Sequence, residues 1–169
     1  MTSLDSAPET LRGRATYEML LSVHAKIRRD LERVELLAER AAAGLPAEEI
    51  HEELHDLRRD SVLWRLQVDC LRYCHFVHMH HGAEDHQFFP ELRQANPALN
   101  QVIDRLEDDH RRVSDDLDAV EAAARNLTKD EREDARQEVV RALRRLAENL
   151  LEHLDYEELN LESAVLRLA

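Results

Sequence analysis

The sequence predicts an all-α protein: an up-down-up-down four-helix bundle with a dinuclear metal site in the core. Three observations lead there. Three glycines and four prolines among 169 residues, with 35% charged and 43% hydrophobic, make a composition of long amphipathic helices. Apolar residues recur at three- and four-residue steps in four separate stretches. Ten histidines are present, and several fall on those apolar stripes.

Residues 1–14 are polar, carry Pro8 and Gly13, and are expected to be a flexible leader, with the bundle over residues 15–169. The first helix starts at Ala15, with Tyr17, Leu20, Leu21, His24, Ile27, Leu31, Val34 and Ala38 along one face. It runs to Ala43, where Gly44 supplies a left-handed stop and Pro46 can open a new segment. Residues 46–59 are helical in pattern but mostly polar, a short surface helix or a lead-in turn. Asp60 can cap the second long helix, which carries Leu63, Leu66, Cys70, Cys74, Val77, His81, Glu84 and Phe88 on one side and Tyr73 and His80 on its flank. The second helix should end by Phe89-Pro90, because the residue before proline avoids the α region. Asn96-Pro97 opens the third helix, with Val102, Ile103, Leu106, His110, Val113, Leu117, Val120 and Ala124 inward and Asn126 at its end. Thr128-Lys129-Asp130-Glu131 fits a capping box for the fourth, which carries Val139, Val140, Leu143, Leu146, Leu150, His153, Leu154 and Glu157. A last helical turn or two covers residues 161–168.

The formal net charge is −13, and so acidic a chain repels nucleic acid and anionic membrane, arguing against both as partners. No apolar run approaches the ~18 residues of a membrane span. The start, Met1-Thr2-Ser3-Leu4-Asp5, has no basic region and no apolar core, so no export signal is expected. Cys70 and Cys74, four apart in a helical pattern, make neither a zinc finger nor a disulfide framework. They point to a reducing cytoplasm and to a role as small packed hydrophobes.

Each long helix sends at least one histidine toward the core: His24, His80 with His81, His110 and His153. His80 is followed one turn later by Glu84, and His153 by Glu157. Side chains four apart on a helix face one way, about 6 Å apart along the axis, so each pair can converge on one ion or bridge to the next. A glutamate buried beside a histidine is costly unless something charged compensates it, and a divalent cation does so. Imidazole with carboxylate and no thiolate motif suits iron, and also manganese or zinc. Six ligands exceed one four-coordinate zinc and suit two metals sharing carboxylates. His51, His55, His75, His78 and His86 have no such inward pattern and are expected at the surface.

The run His80-His81-Gly82-Ala83-Glu84-Asp85-His86-Gln87-Phe88-Phe89-Pro90 resembles the H-H-x-x-E-E-x-x-L-F-P segment of hemerythrin-like (HHE cation-binding) domains. His153-Leu154-Asp155-Tyr156-Glu157-Glu158 is similar to that family's last-helix H-x-x-x-E-E segment, and His24 and His110 fall where it places single histidines. The resemblance covers roughly residues 15–168. It implies a bundle holding two iron ions (Fe2+/Fe3+) bridged by two carboxylates and an oxide or hydroxide. The ligands it implies are His24, His80, Glu84, His110, His153 and Glu157, with Glu84 and Glu157 as bridges and Glu158 as the alternative to Glu157.

Oxygen carriers of that family hold five histidines, two of them as H-x-x-x-H on the third helix. Here Leu106 and Ser114 flank His110 at that spacing. His81, Glu107, Tyr73 or water would fill the place, and simple oxygen carriage is not expected. The expected function is a di-iron protein that binds or reacts with O2, NO or H2O2, in sensing or detoxification, with an electron-donor protein as a partner. Whether it turns over as a peroxide- or NO-consuming enzyme stays open. The alternative is a ferritin-like di-iron carboxylate protein for iron handling, through Glu52-x-x-His55 and Glu107-x-x-His110.

Overall fold

The computed structural model describes residues 8–44, 61–127 and 132–168. Its elements are α1 (Leu11–Ala42), α2 (Ser61–Ala83), a π-helical turn (Glu84–Phe88), α3 (Phe89–Ala95), a 3-10 turn (Pro97–Leu99), α4 (Asn100–Asn126) and α5 (Glu133–Val165). No strand occurs among the described residues. The segment 46–59 with His51 and His55, the cap at Asp60 and the box 128–131 lie outside them.

The four long helices are α1, α2, α4 and α5. α1 and α4 each pack against both α2 and α5. Neighbours run antiparallel, as the cross-links require. Arg144 reaches Glu39 while Glu158 reaches His24. His78 lies near Asp118 while Asp85 reaches His110. Asp116 holds Arg145 while His110 meets His153. The up-down-up-down bundle is therefore the observed architecture.

α1 begins at Leu11, four residues ahead of the expected start. Thr10 explains this: its side chain accepts from the Gly13 N–H at 2.8 Å and caps the helix. Its own N–H donates to Leu166 C=O at 2.8 Å, and its hydroxyl donates to Leu168 C=O. Residues 11–14 thus form the first turn of α1. At the other end of α1, Gly44 takes φ +71°, the left-handed stop that the sequence calls for.

The expected end of the second helix at Phe89-Pro90 is corrected by the structure. Pro90 has no N–H to give, and the backbone adjusts ahead of it. The Phe89 N–H donates to the Glu84 C=O five residues back, a π turn, and the helix resumes with Pro90 in its first turn, where a missing donor costs little. Asn96 then accepts from the Ala98 N–H at 3.2 Å and opens the turn into α4.

Two apolar cores fill the bundle. The larger includes Ile27, Leu31, Leu66, Val77, Leu117, Leu143, Leu146 and Leu150. The smaller is built from Phe89, Leu92, Leu99, Ile103, Leu106, Leu161, Val165 and Leu168. Between them, at one level on all four helices, lie the buried residues His24, His81, Glu84, His110, His153 and Glu157. Cys70 and Cys74 are free and buried in the larger core, as small hydrophobes are.

The ends of α1 and α5 meet at Gly13. A Cβ there would lie 2.4 Å from the carbonyl oxygens of Val165 and Leu166, which are backbone and cannot rotate away. Gly13→Ala is expected to destabilise the bundle by about 1–3 kcal/mol, measured by urea unfolding. Gly82→Ala, with nothing within 4 Å of its added carbon, is expected not to.

Candidate metal centre

Four helices and the π turn deliver the buried polar layer. Helical spacing brings His24 in from α1, His80 and His81 from α2, His110 from α4, and His153 with Glu157 from α5; Glu84 opens the π turn. Their donor atoms fall into two groups, His24, His80 and Glu84, and His81, Glu84, His110 and His153, each with its atoms within 4.8 Å of one another. Glu84 belongs to both. Its Oε1 lies 3.1 Å from His80 Nε2 and 4.0 Å from His24 Nε2, while Oε2 lies 3.5 Å from His110 Nε2. Glu157 Oε2 also sits between the groups, 3.5 Å from His24 Nε2 and 3.6 Å from His153 Nε2.

His110 Nε2 and His153 Nε2 meet at 3.1 Å, and the other donor atoms of the layer have no partner. The Nε2 atoms of His24, His80 and His81 and all four carboxylate oxygens of Glu84 and Glu157 are buried without a hydrogen-bond partner. Two carboxylates left bare in a core cost several kcal/mol. Donors about 2.1 Å from a shared ion lie roughly 3 Å apart when adjacent in its coordination sphere. The observed spacings fit cations, and the donor set of imidazole and carboxylate fits iron, manganese or zinc.

Burial sets the protonation of the layer. It pushes the His24 imidazole down to about 4 and His80 down to about 3. Burial, with the neighbouring imidazoles, holds His81 well below the usual histidine range, and burial lowers His153. Burial, together with the charge of Glu157, lifts Glu84 well above the usual carboxylate range, and burial pushes Glu157 up to about 8.

The structure places the expected residues as follows. His24, His80, Glu84, His110, His153 and Glu157 all lie in the layer. His81 joins them: its ring stacks on His110 at 4.0 Å with 12° between planes, and meets His153 edge-on at 5.0 Å. Glu107 does not join. It is half-buried and held by Arg93 at 3.0 Å, an arginine that α3 brings across. Tyr73 does not join either; it lies in the larger apolar core. Glu158 stands behind the layer, bonded to His24 Nδ1 at 2.9 Å and to Arg28 at 2.7 Å. His75 and His86 are exposed; His78 is half-buried. A 440 Å³ pocket between α2 and α4 has His81 and His110 in its wall, with Asp85, Glu107, Arg111 and Ser114 around them.

The hemerythrin HHE cation binding domain family matches residues 15–165. The chain belongs to that family. No curated protein and no solved structure gives a match. Family membership makes this a metal-cation-binding bundle, and the buried layer is the part of a hemerythrin-like bundle suited to that task. Among the described residues no helix is long and apolar enough to cross a membrane.

The protonation pattern sets a pH dependence for the metal-free protein. Imidazoles held below their ordinary 6.5 give stability that is lost as pH falls beneath 6.5, because the unfolded state takes up protons first. Glutamates held above 4.5 give stability that is lost as pH rises toward about 8, because the folded state keeps its protons longer. Above 6.5 only the second effect operates. The melting temperature of metal-free protein is therefore expected to fall between pH 6.5 and 8. With metal bound it should hold or rise, since ligands bind deprotonated. Thermal unfolding of both forms across that range checks the slope.

Proposed function

We propose that this chain is a non-haem di-iron protein that binds or consumes a small diatomic or peroxide, O2, NO or H2O2, in sensing or detoxification rather than in oxygen transport. The observation that carries the reading is the convergence of five imidazoles and two carboxylates in one buried layer, with each glutamate placed between the two donor groups. In this reading His24 and His80 hold one iron, and His81, His110 and His153 the other. Glu84 and Glu157 bridge them. His81 takes the place that a second third-helix histidine fills in oxygen carriers.

An iron pair held there would supply two one-electron redox centres for chemistry on a small ligand. The chain supplies the setting. Phe89 stacks on His110 at 5.3 Å with 18° between planes and closes one end of the layer against the smaller core. Bulk water is kept from Glu157, which is fully buried. The pocket beside His81 and His110 is polar where Asp85, Glu107, Arg111 and Ser114 line it. Water and protons therefore reach that flank, which favours consumption of a bound ligand over its reversible storage.

Protein loaded anaerobically with iron(II) is expected to hold two irons per chain by elemental assay. Glu84→Ala, Glu157→Ala and His81→Ala should each lower that content, while His75→Ala and His86→Ala leave it unchanged. One iron or none in the unaltered chain would overturn the dinuclear reading. Exposure to peroxide or NO then separates the two modes: consumption beyond one equivalent per site marks an enzyme, and a stoichiometric spectral change marks a sensor. A stable oxygenated form that releases its oxygen under vacuum would overturn the preference against transport.

A further inference from the structure

Each H-x-x-x-E pair in this chain is followed at once by a second acid, Asp85 after Glu84 and Glu158 after Glu157. Consecutive helical residues point about 100° apart, so both acids of a doublet cannot face the same layer. The structure gives the second acid a separate task, and the same one twice. Asp85 Oδ1 lies 2.7 Å from His110 Nδ1, across to α4. Glu158 Oε1 lies 2.9 Å from His24 Nδ1, across to α1. In both cases the partner is the single layer histidine of another helix, and the contact is on the ring nitrogen away from the donor cluster.

We propose that Asp85 and Glu158 are paired positioning residues that fix the tautomer and aim of His110 and His24 for metal, so that each acidic doublet serves one bridge and one cross-helix orienter. A carboxylate only accepts, so each ring must carry its proton on Nδ1. That leaves Nε2 with its lone pair directed at the layer: His110 Nε2 lies 3.1 Å from His153 Nε2 and 3.5 Å from Glu84, and His24 Nε2 lies 3.5 Å from Glu157. A carboxylate behind a ligating imidazole also makes that imidazole a stronger donor. Glu158 is itself fixed from outside by Arg28 at 2.7 Å, which in turn holds Asp155 at 2.7 Å. His153 marks the contrast. The carboxylate facing its Nδ1, Asp109, stands 3.8 Å away, beyond hydrogen-bond reach, and Asp109 is engaged by Arg112. The doublets therefore tie the π turn to α4 and α5 to α1, the two helices that contribute one layer imidazole each.

The inference rests on the di-metal reading, and the test separates the two. The probe is iron(II) alone, titrated anaerobically against a chromophoric chelator into the full chain, its Asp85→Ala and Glu158→Ala variants, and the near-isosteric Asp85→Asn and Glu158→Gln variants. Each Ala variant should bind iron about 10–100-fold more weakly than the parent. Asn and Gln keep an acceptor oxygen without the charge and should recover part of the loss. In the NMR spectrum of the iron-loaded protein, each Ala variant should lose one slowly exchanging imidazole N–H signal, a different one in each, and the amide variants should retain it. A purely structural role would move melting temperature without removing one assigned signal. If an Ala variant fails to fold, the amide variants carry the test through affinity. Parental affinity with every N–H signal retained overturns this inference alone. Failure of the parent to bind iron overturns it together with the di-metal reading.

Discussion

Two glutamates side by side in a protein interior are the constraint on which the rest depends. Glu84 and Glu157 sit between two apolar cores, with every carboxylate oxygen buried and unpaired. No lysine or arginine enters an ion pair with either of them among the described residues. Burial keeps both glutamates protonated in the metal-free protein; once they ionise, positive charge has to come from elsewhere, because His24, His80 and His81 are held neutral by burial. Cations bound between the imidazole and carboxylate donors meet that demand, and the apolar layers above and below keep water from competing for the same atoms. Burial, ligand geometry and protonation are thus one problem with one solution.

The bundle around the layer explains why the constraint is tolerable. α4 and α5 bury apolar residues on either side of their layer residues, and beyond the end of α2 Phe89 and Leu92 of α3 take up that role, so the layer occupies only a turn or so per helix. Leu150 and Leu154 flank His153, and Leu106 and Val113 flank His110, all fully buried. The cap at Thr10, the close approach at Gly13 and the turn at Asn96 bring the ends together around the smaller core. The apolar packing therefore holds donors in place that would repel each other in isolation.

Much of this was legible in the sequence, and the parts that were not share a cause. Helical period alone puts His24, His110 and His153 inward, and i, i+4 spacing puts Glu84 with His80 and Glu157 with His153, since these relations lie within one helix. The π turn was hidden because Pro90 signals a stop locally, while packing of Phe89 and Leu92 into the smaller core carries the helix onward. Glu107 shares a face with His110 but is taken by Arg93 from another element. Tyr73 lies two turns, roughly 10 Å, along α2 from His80, which puts it among apolar side chains. The placement of His81 against His110 and the contacts of Asp85 and Glu158 are set between helices, where no spacing rule reaches. The doubled acids were the available signal for the last two.

The most direct measurement is a crystal structure of iron-loaded protein with anomalous differences collected at the iron edge. The account predicts two peaks per chain inside the bundle, one among His24, His80 and Glu84 and the other among His81, Glu84, His110 and His153. A single peak, or peaks confined to His75, His78 or His86 at the surface, would contradict it.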